Sequence, residues 1–433
     1  MQGIAYSTVL PVIAGDLGGF ALFGAILAAG GIAAVLMLSV SSAVLARLRP
    51  AVVLLIATAL YLVGVGCTVA AGTMSWVLIG TVVQGIGGGL MGGFAMGAIG
   101  AMYDERERPR VFGLFALVWL LPSVVGPGLN AAVTAWAGWR WAIAWPAALV
   151  VGGRILMGTQ LRTMPDAPRR RVPIRAGGGI LLAACLGVGA TASALGGWPG
   201  RIVFVAACVA GVAGVVLFLV RGTSDRPTAR VLLAFSALCA TYFGMYELIA
   251  VTILRGFDST LPWSSAAVTA SLLGWTLTAL RPRRDARPDR PVVGGVLILV
   301  AATAMLSIVL GAPNGMAPGL STAAAVVCGV GMGSAYPLLS SEPFSRRVPP
   351  TTVGPLLSFS ETGSTAWAVL VVGGLYSSLD DGPPVARSAL MMPFVVCVVL
   401  AATAVVAIAT RPRAGRTPPE SAAARRNERR GGS

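Results

Sequence analysis

Residues 202–220 read IVFVAACVAGVAGVVLFLV, a run without a charged side chain that Arg201 precedes and Arg221 follows. A helix of about 20 apolar residues spans the hydrocarbon core of a bilayer, which is roughly 30 Å thick. The run is continuously apolar, whereas a transmembrane strand would alternate between apolar and polar residues. It therefore predicts a transmembrane helix, and similar runs recur along nearly the whole chain.

The composition indicates that most of the protein surface faces lipid. Of the 433 residues, 56% are hydrophobic and only 11% are charged, whereas a soluble protein carries about 25% charged residues. In a soluble protein the net charge of +16 would suggest a nucleic-acid partner. Here the arginines lie in short loops between apolar runs, so we expect no nucleic acid to bind.

The sequence does not indicate a metal or cofactor site. It contains no histidine, and none of its six cysteines forms a CxxC pair, so neither a zinc site nor a disulfide framework is expected. The phosphate-binding pattern GxxxxGKS or GxxxxGKT does not occur, which argues against an ATPase within this chain. We therefore expect no metal and no cofactor.

Thirteen apolar runs are long enough to cross a bilayer, and a shorter one precedes them. Gly3–Ala14 is apolar but too short to cross alone. A signal peptide would be the alternative for this segment, but no basic residue precedes it. We predict fourteen transmembrane helices, the first of them truncated. The thirteen full spans are predicted at residues 20–45, 51–71, 75–102, 110–135, 140–158, 177–196, 202–220, 230–254, 260–280, 291–311, 318–340, 352–377 and 386–410.

The arginines alternate between the loops. With Gly3–Ala14 counted as helix one, the even-numbered loops and the C-terminal tail carry 27 of the 32 basic residues, all of which are arginine. Cytoplasmic loops are enriched in Arg and Lys. We therefore predict a multi-pass protein of the cell inner (plasma) membrane with its even loops and C-terminus in the cytoplasm. The odd-numbered loops carry only Arg140, Arg201, Arg255 and Arg387.

Three stretches of the first half resemble the major facilitator superfamily, in particular its fourteen-span drug:proton antiporters. Residues 6–19, YSTVLPVIAGDLGG, resemble the end of that family's first helix. Residues 84–89, QGIGGG, are similar to the fourth-helix R-x-x-Q-G-x-G motif. Residues 119–128, WLLPSVVGPG, resemble the fifth-helix antiporter motif, and the family's WRW follows at 139–141. The antiporter-motif residues are Pro122, Gly126, Pro127 and Gly128.

The resemblance implies an all-α polytopic membrane protein with the major facilitator fold. In a fourteen-span relative, six helices form each half and two extra helices join the halves. Residues 1–158 would then form an N-terminal bundle of helices one to six, and residues 159–228 a basic loop with the two extra helices. Residues 229–410 would form the C-terminal six-helix bundle, and 411–433 a disordered basic cytoplasmic tail.

The resemblance also implies a function. The family members that this chain resembles are secondary active transporters and not enzymes. The resemblance implies export of small hydrophobic or cationic organic molecules by proton antiport with alternating access. The partners of this chain would be the substrate, protons and the lipid bilayer, and we expect a monomer. No paired-Asp diphosphate motif and no nucleophile–base set occurs, which argues against a membrane-embedded enzyme.

The chain departs from the family at positions linked to gating and coupling. Ala46 replaces the acidic residue of the loop between helices two and three, and Arg49 replaces a glycine there. Thr81 replaces the arginine of the fourth-helix motif, and Gln2 the acidic residue of the first helix. These changes leave two alternatives open, which are a non-transporting membrane sensor or partner subunit of the same fold and a nutrient importer.

Ionisable residues inside a span are costly and therefore functional candidates. Glu247 and Glu361 lie in mid-span, and we predict that one of them exchanges a proton or attracts a cationic substrate. The alternative is a neutral glutamic acid hydrogen-bonded to a neighbouring helix. Aromatic side chains near these carboxyls in sequence would suit an organic cation, although such side chains also pack or face lipid. The cavity-lining candidates are Tyr242, Tyr246, Trp275, Phe359, Trp367 and Gln84.

Overall fold

The computed structural model describes residues 2–18, 22–157, 176–195, 197–281, 289–346, 348–379 and 387–412. In these ranges every long element is an α-helix, which confirms the all-α prediction. The helices are α1 (Gln2–Leu17), α2 (Phe23–Leu45), α3 (Pro50–Val69), α4 (Met74–Met102), α5 (Arg108–Ala137), α6 (Trp139–Met157), α7 (Gly177–Leu195), α8 (Gly197–Gly222), α9 (Arg226–Val251), α10 (Leu261–Leu280), α11 (Arg290–Gly311), α12 (Ala317–Ser341), α13 (Pro350–Leu379) and α14 (Arg387–Thr410).

Each of the thirteen full spans predicted from hydropathy coincides with one of α2–α14, with ends that differ by five residues or fewer. The short first segment is the 16-residue helix α1. Within the described ranges, eight helices are long and apolar enough to cross a membrane by length and composition alone. Of the predicted C-terminal tail, all but Arg411 and Pro412 lies outside the described residues, as does the basic segment between α6 and α7.

Proline and aspartate mark where several helices begin. Proline fixes φ and lacks an N–H that the first helical turn would leave unbonded. Asp225 caps α9, because its Oδ2 accepts a hydrogen bond from the backbone N–H of Thr228 at 3.0 Å. The first turns of α3, α5, α9, α10, α11 and α12 contain Pro50, Pro109, Pro227, Pro262, Pro291 and Pro318 respectively.

The glycines of α4 let three helices approach closely. A Cβ atom at Gly87 would lie 2.8 Å from the backbone nitrogen of Tyr61 on α3. Gly85 and Gly89 meet the backbone of α2 in the same way, and the side chain of Gln84 donates to Thr68 on α3 at 3.0 Å. Small residues bring helices together in lipid, where packing replaces the hydrophobic driving force. The face of α4 that holds Gly85, Gly87 and Gly89 is therefore a packing surface of the first half.

The helices α7 and α8 form a hairpin that lies beside both α2 and α13. A Cβ at Gly214 on α8 would lie 2.8 Å from the backbone nitrogen of Leu182 on α7. The indole N–H of Trp367 on α13 donates to the carbonyl of Cys208 on α8 at 2.8 Å. On the other side, Gly179 lies directly against Ser39 of α2. The hairpin thus contacts α2 in the first half, which we define as α1–α6, and both α9 and α13 in the second half, which we define as α9–α14.

The buried apolar side chains show where the two halves meet. The largest cluster is built mainly from α9–α14, and α2, α4 and α5 join it through residues such as Leu38, Ile99 and Phe112. These three residues lie towards one end of the bundle. That end holds the α4–α5, α10–α11 and α12–α13 connections and the C-terminal end of α14, and we name it the arginine-rich end. A separate cluster, which includes Val9 and Trp139, belongs to the first half at the opposite end.

Candidate functional site

Glu361 lies on α13 and is buried, with 6% of its surface exposed. Its Oε2 accepts a hydrogen bond from the hydroxyl of Tyr336 on α12 at 3.0 Å. Among the described residues no basic side chain forms an ion pair with this carboxylate. Burial of an ionised carboxylate without a cation is costly, and the tyrosine hydrogen bond offsets part of that cost.

An aromatic cluster extends from Tyr336 across α10 to α9. The ring of Trp275 lies 5.3 Å from that of Tyr336 and 5.2 Å from that of Tyr242, between centroids. The hydroxyl of Tyr242 is 3.2 Å from the Oγ of Ser271. The cluster therefore links the α13 carboxyl to three other helices of the second half.

Several buried polar atoms of the second half have no hydrogen-bond partner in the described part of the chain, including one on α10 and one beside Glu361 on α13. One is the indole Nε1 of Trp275, whose side chain is fully buried. The other is the Oγ of Ser364, which lies three residues after Glu361 and so on the same face of α13. A buried polar atom without a partner costs about 1–3 kcal/mol. These two donors are therefore available to a water molecule or a ligand.

The predicted cavity-lining aromatic residues take different places. Tyr242, Trp275 and Phe359 are fully buried. The Tyr242 and Trp275 rings pack within the second half, whereas the Phe359 ring lies 4.0 Å from that of Phe218 on α8. Tyr246 and Trp367 are half-buried. Their lining of a transport cavity remains a prediction.

Glu247 has different surroundings from Glu361. It is exposed within a buried stretch of α9, where Thr241–Met245 and Leu248 are all buried. At about 1.5 Å per residue, Glu247 lies roughly 30 Å and Glu361 roughly 16 Å from the arginine-rich ends of their helices. The structure therefore separates the two predicted carboxyls instead of bringing them together.

The other sequence candidates lie in the first half. Pro122, Gly126, Pro127 and Gly128 lie inside α5, which continues as a helix through all four. The surroundings of their side chains are outside the described part of the structure, and their role as an antiporter motif remains a prediction. Gln84 is buried and bonded to Thr68 within the first half.

Two contacts escaped the sequence reasoning. The first is Tyr336, although a phenol inside an apolar helix needs a hydrogen-bond partner, and this requirement was a usable signal. The second joins residues 6–19 to residues 139–141 at the end opposite the arginine-rich end. There Asp16 accepts a hydrogen bond from the indole of Trp139 at 2.8 Å and lies 3.6 Å from a guanidinium nitrogen of Arg140. Arg140 also donates to the carbonyl of Val69 at 3.2 Å, so the contact ties together α1, α3 and α6.

Comparison with known proteins gives a family match and distant relatives. The model of a family described as the Major Facilitator Superfamily matches residues 1–370. The multidrug transporter protein MdtP of Bacillus subtilis is 26% identical over 141 residues, which cover 33% of this chain and 26% of that protein. Multidrug resistance protein 3 of the same organism is 35% identical over 81 residues, or 19% of this chain and 16% of that protein. The chain thus spans about a quarter or less of these relatives in the matched regions.

Solved structures with the same fold cover nearly the whole chain. A bacterial homologue of the iron transporter ferroportin, in an outward-facing state, has a TM-score of 0.67 at 13% identity and covers 94% of each chain. The human organic anion transporter MFSD10 has a TM-score of 0.64 at 15% identity, and covers 92% of this chain and 96% of its own. At these identities the likeness establishes the fold alone.

Proposed function

Because the chain belongs to the major facilitator superfamily and is a transporter, not an enzyme, we propose that it exports small organic molecules by proton antiport. The substrates would be hydrophobic or cationic, and two halves would rock about a central site. The names of the Bacillus subtilis relatives as multidrug proteins support this direction of transport. The arginine count supports a plasma-membrane protein with a cytoplasmic C-terminus.

The observation that carries this proposal is the carboxyl of Glu361. It is buried among apolar and aromatic side chains of the second half and hydrogen-bonded to Tyr336. A carboxyl in such a place changes the net charge of the membrane interior when it gains or loses a proton, and that change biases the packing around it. Glu361 is therefore our candidate for the proton-binding residue.

Glu247 is our candidate for attracting a cationic substrate. Its side chain is exposed although its helix is largely buried. The half-buried ring of Tyr246 adjoins it in sequence and lies 6.3 Å from that of Tyr242. A carboxylate next to aromatic faces attracts an apolar organic cation.

The test is transport by the purified full chain in liposomes, with ethidium as the cationic probe. We expect a proton gradient to drive ethidium movement, and Glu361→Gln to abolish this gradient-driven movement while ethidium exchange without a gradient remains. Glu247→Gln should raise the KM for ethidium more than it lowers kcat. Asp258→Asn, which neutralises an exposed carboxylate between α9 and α10, is the matched control and should change neither.

The same assay tests the two alternatives. Thr81 and Ala46 in place of charged residues favour a non-transporting member of the family. A folded protein that moves neither ethidium nor any other organic cation under any gradient would support that alternative and contradict export. Proton-coupled movement of substrate in the same direction as the proton would instead support an importer.

A further inference from the structure

Phe344 belongs to the second half in sequence, but its ring lies against the first half. It sits in the short turn Glu342–Ser345 that follows α12, and it is buried. Its ring lies nearly parallel to that of Phe112 on α5, with the centroids 6.0 Å apart. A Cβ at Gly100 on α4 would overlap the Phe344 ring. The ring therefore fits only because position 100 has no side chain.

Arg108, at the start of α5, holds the same turn. Its Nη1 donates to the carbonyl of Phe344 at 3.0 Å, and its Nε donates to the carbonyl of Tyr103 at 2.8 Å. The guanidinium also lies 5.8 Å from the centre of the Phe344 ring. A guanidinium is planar and offers several donors in a fixed geometry. Arg108 can thus bind the main chain and the ring of Phe344 at once.

The turn is also fixed to the second half. Glu342 Oε2 is 2.9 Å from the Nε of Arg411 at the end of α14, and its Oε1 is 3.3 Å from Arg346. These side chains are 15% or less exposed, so solvent screens the ion pairs little. Arg346 also bonds to the carbonyl of Pro412. Phe344 is therefore carried on a turn that would move with α12 and α14.

The backbones on either side of this contact are tightly packed. A Cβ at Gly354 of α13 would overlap the backbone of Gly97 on α4, so position 354 could not hold a side chain without displacing its neighbour. A Cβ at Gly113 of α5 would lie 2.8 Å from the carbonyl oxygen of Ala279 on α10. At the opposite end of the bundle the first half has a separate apolar cluster of its own. The described halves thus meet at the arginine-rich end.

We propose that Phe344 and Arg108 form a latch that holds the arginine-rich end of this transporter closed, and that withdrawal of the Phe344 ring opens the cavity on that side. The latch uses an aromatic ring and a backbone carbonyl. Ala46, in the α2–α3 connection, offers no carboxylate for this purpose. The proposal concerns access alone and does not depend on the substrate or on the coupling ion.

The test measures how readily a water-soluble reagent reaches the interface between α4 and α13. A cysteine at Ser358, which is buried and adjoins Gly92, would report opening in a chain whose six native cysteines are replaced by alanine. The probe is a membrane-impermeant maleimide applied in detergent, without substrate or gradient. We expect Phe344→Ala to raise the labelling rate by at least about tenfold, because the closed state loses the ring that fills the space at Gly100. Arg108→Gln should raise it less, since the ring remains.

A second variant tests the same pocket from the other side. Gly100→Ala should displace the ring and raise labelling as Phe344→Ala does, and the double variant should label no faster than either single one, because both remove the same contact. The matched controls are Gly88→Ala, where a Cβ meets nothing within 4 Å, and Phe115→Ala, which removes a neighbouring ring. The proposal would be overturned if Phe344→Ala and Gly100→Ala both fold and label within twofold of the parent rate. It would also be overturned if the two control variants label as fast as these two.

Discussion

At the scale of single residues, the pair formed by Glu361 and Tyr336 is the most informative contact. The sequence singled out the glutamate because a charge in an apolar span is costly. It did not single out the tyrosine, because nothing local shows that residue 336 on α12 faces residue 361 on α13. The structure joins them by a 3.0 Å hydrogen bond, and so supplies the group that would tune proton binding.

Tyr336→Phe removes this hydrogen bond while it keeps the ring. Without the donor the charged carboxylate is less favoured, so we expect the pH of half-maximal proton-driven transport to move upward. One hydrogen bond contributes about 0.5–1.5 kcal/mol, which corresponds to roughly half a pH unit to one unit. Tyr242→Phe loses only the contact with Ser271 and should leave the profile in place. An unchanged pH profile for Tyr336→Phe, or a shift of that profile to lower pH, would contradict a role of Tyr336 in proton binding by Glu361.

At the scale of helices, glycine position decides which faces can pack. Gly87 and Gly88 are neighbours in sequence and look alike in any hydropathy plot. Only Gly87 faces α3, where a Cβ would lie 2.8 Å from one backbone atom and 2.9 Å from another. A Cβ at Gly88 meets nothing within 4 Å. The packing role of the α4 glycines therefore holds for the face that meets α2 and α3, and not for every glycine of the run.

The pair offers a stability test with a built-in control. Gly87→Ala should destabilise the folded protein by about 1–3 kcal/mol, because two backbones must move apart. We expect its thermal melting midpoint in detergent to fall by a few degrees. Gly88→Ala should leave the midpoint unchanged or slightly higher, since alanine is the better helix former. Equal midpoints for the two variants would show that the α3–α4 approach is looser than the structure indicates.

At the scale of the whole molecule, the halves are joined at one end and have separate apolar clusters at the other. The joined end is the one where arginines concentrate in the connections. If arginine-rich loops are cytoplasmic, this structure is closed towards the cytoplasm. The latch at Phe344 and the contact between Asp16 and Arg140 then lie on opposite sides of the membrane.

The orientation can be tested with two exposed positions in otherwise similar loops. We expect a cysteine at Gly315, between α11 and α12, to react with an impermeant maleimide on intact cells. A cysteine at Glu105, between α4 and α5, should react only after permeabilisation. Both sites are exposed, so reactivity depends on which side they face. The reverse pattern would invert the predicted topology.

The sequence alone determined the number, order and approximate ends of the helices, because an apolar run of bilayer length is a local property and proline marks many of its starts. It also determined the arginine asymmetry and the two carboxyls within spans. Only the tertiary structure decided that Tyr336 meets Glu361, that Glu247 lies apart from it, and that Phe344 fills the space at Gly100. Helices that are apolar all round carry no signal for which face meets which neighbour. In lipid those contacts are set by the fit of small and large side chains between helices far apart in the chain.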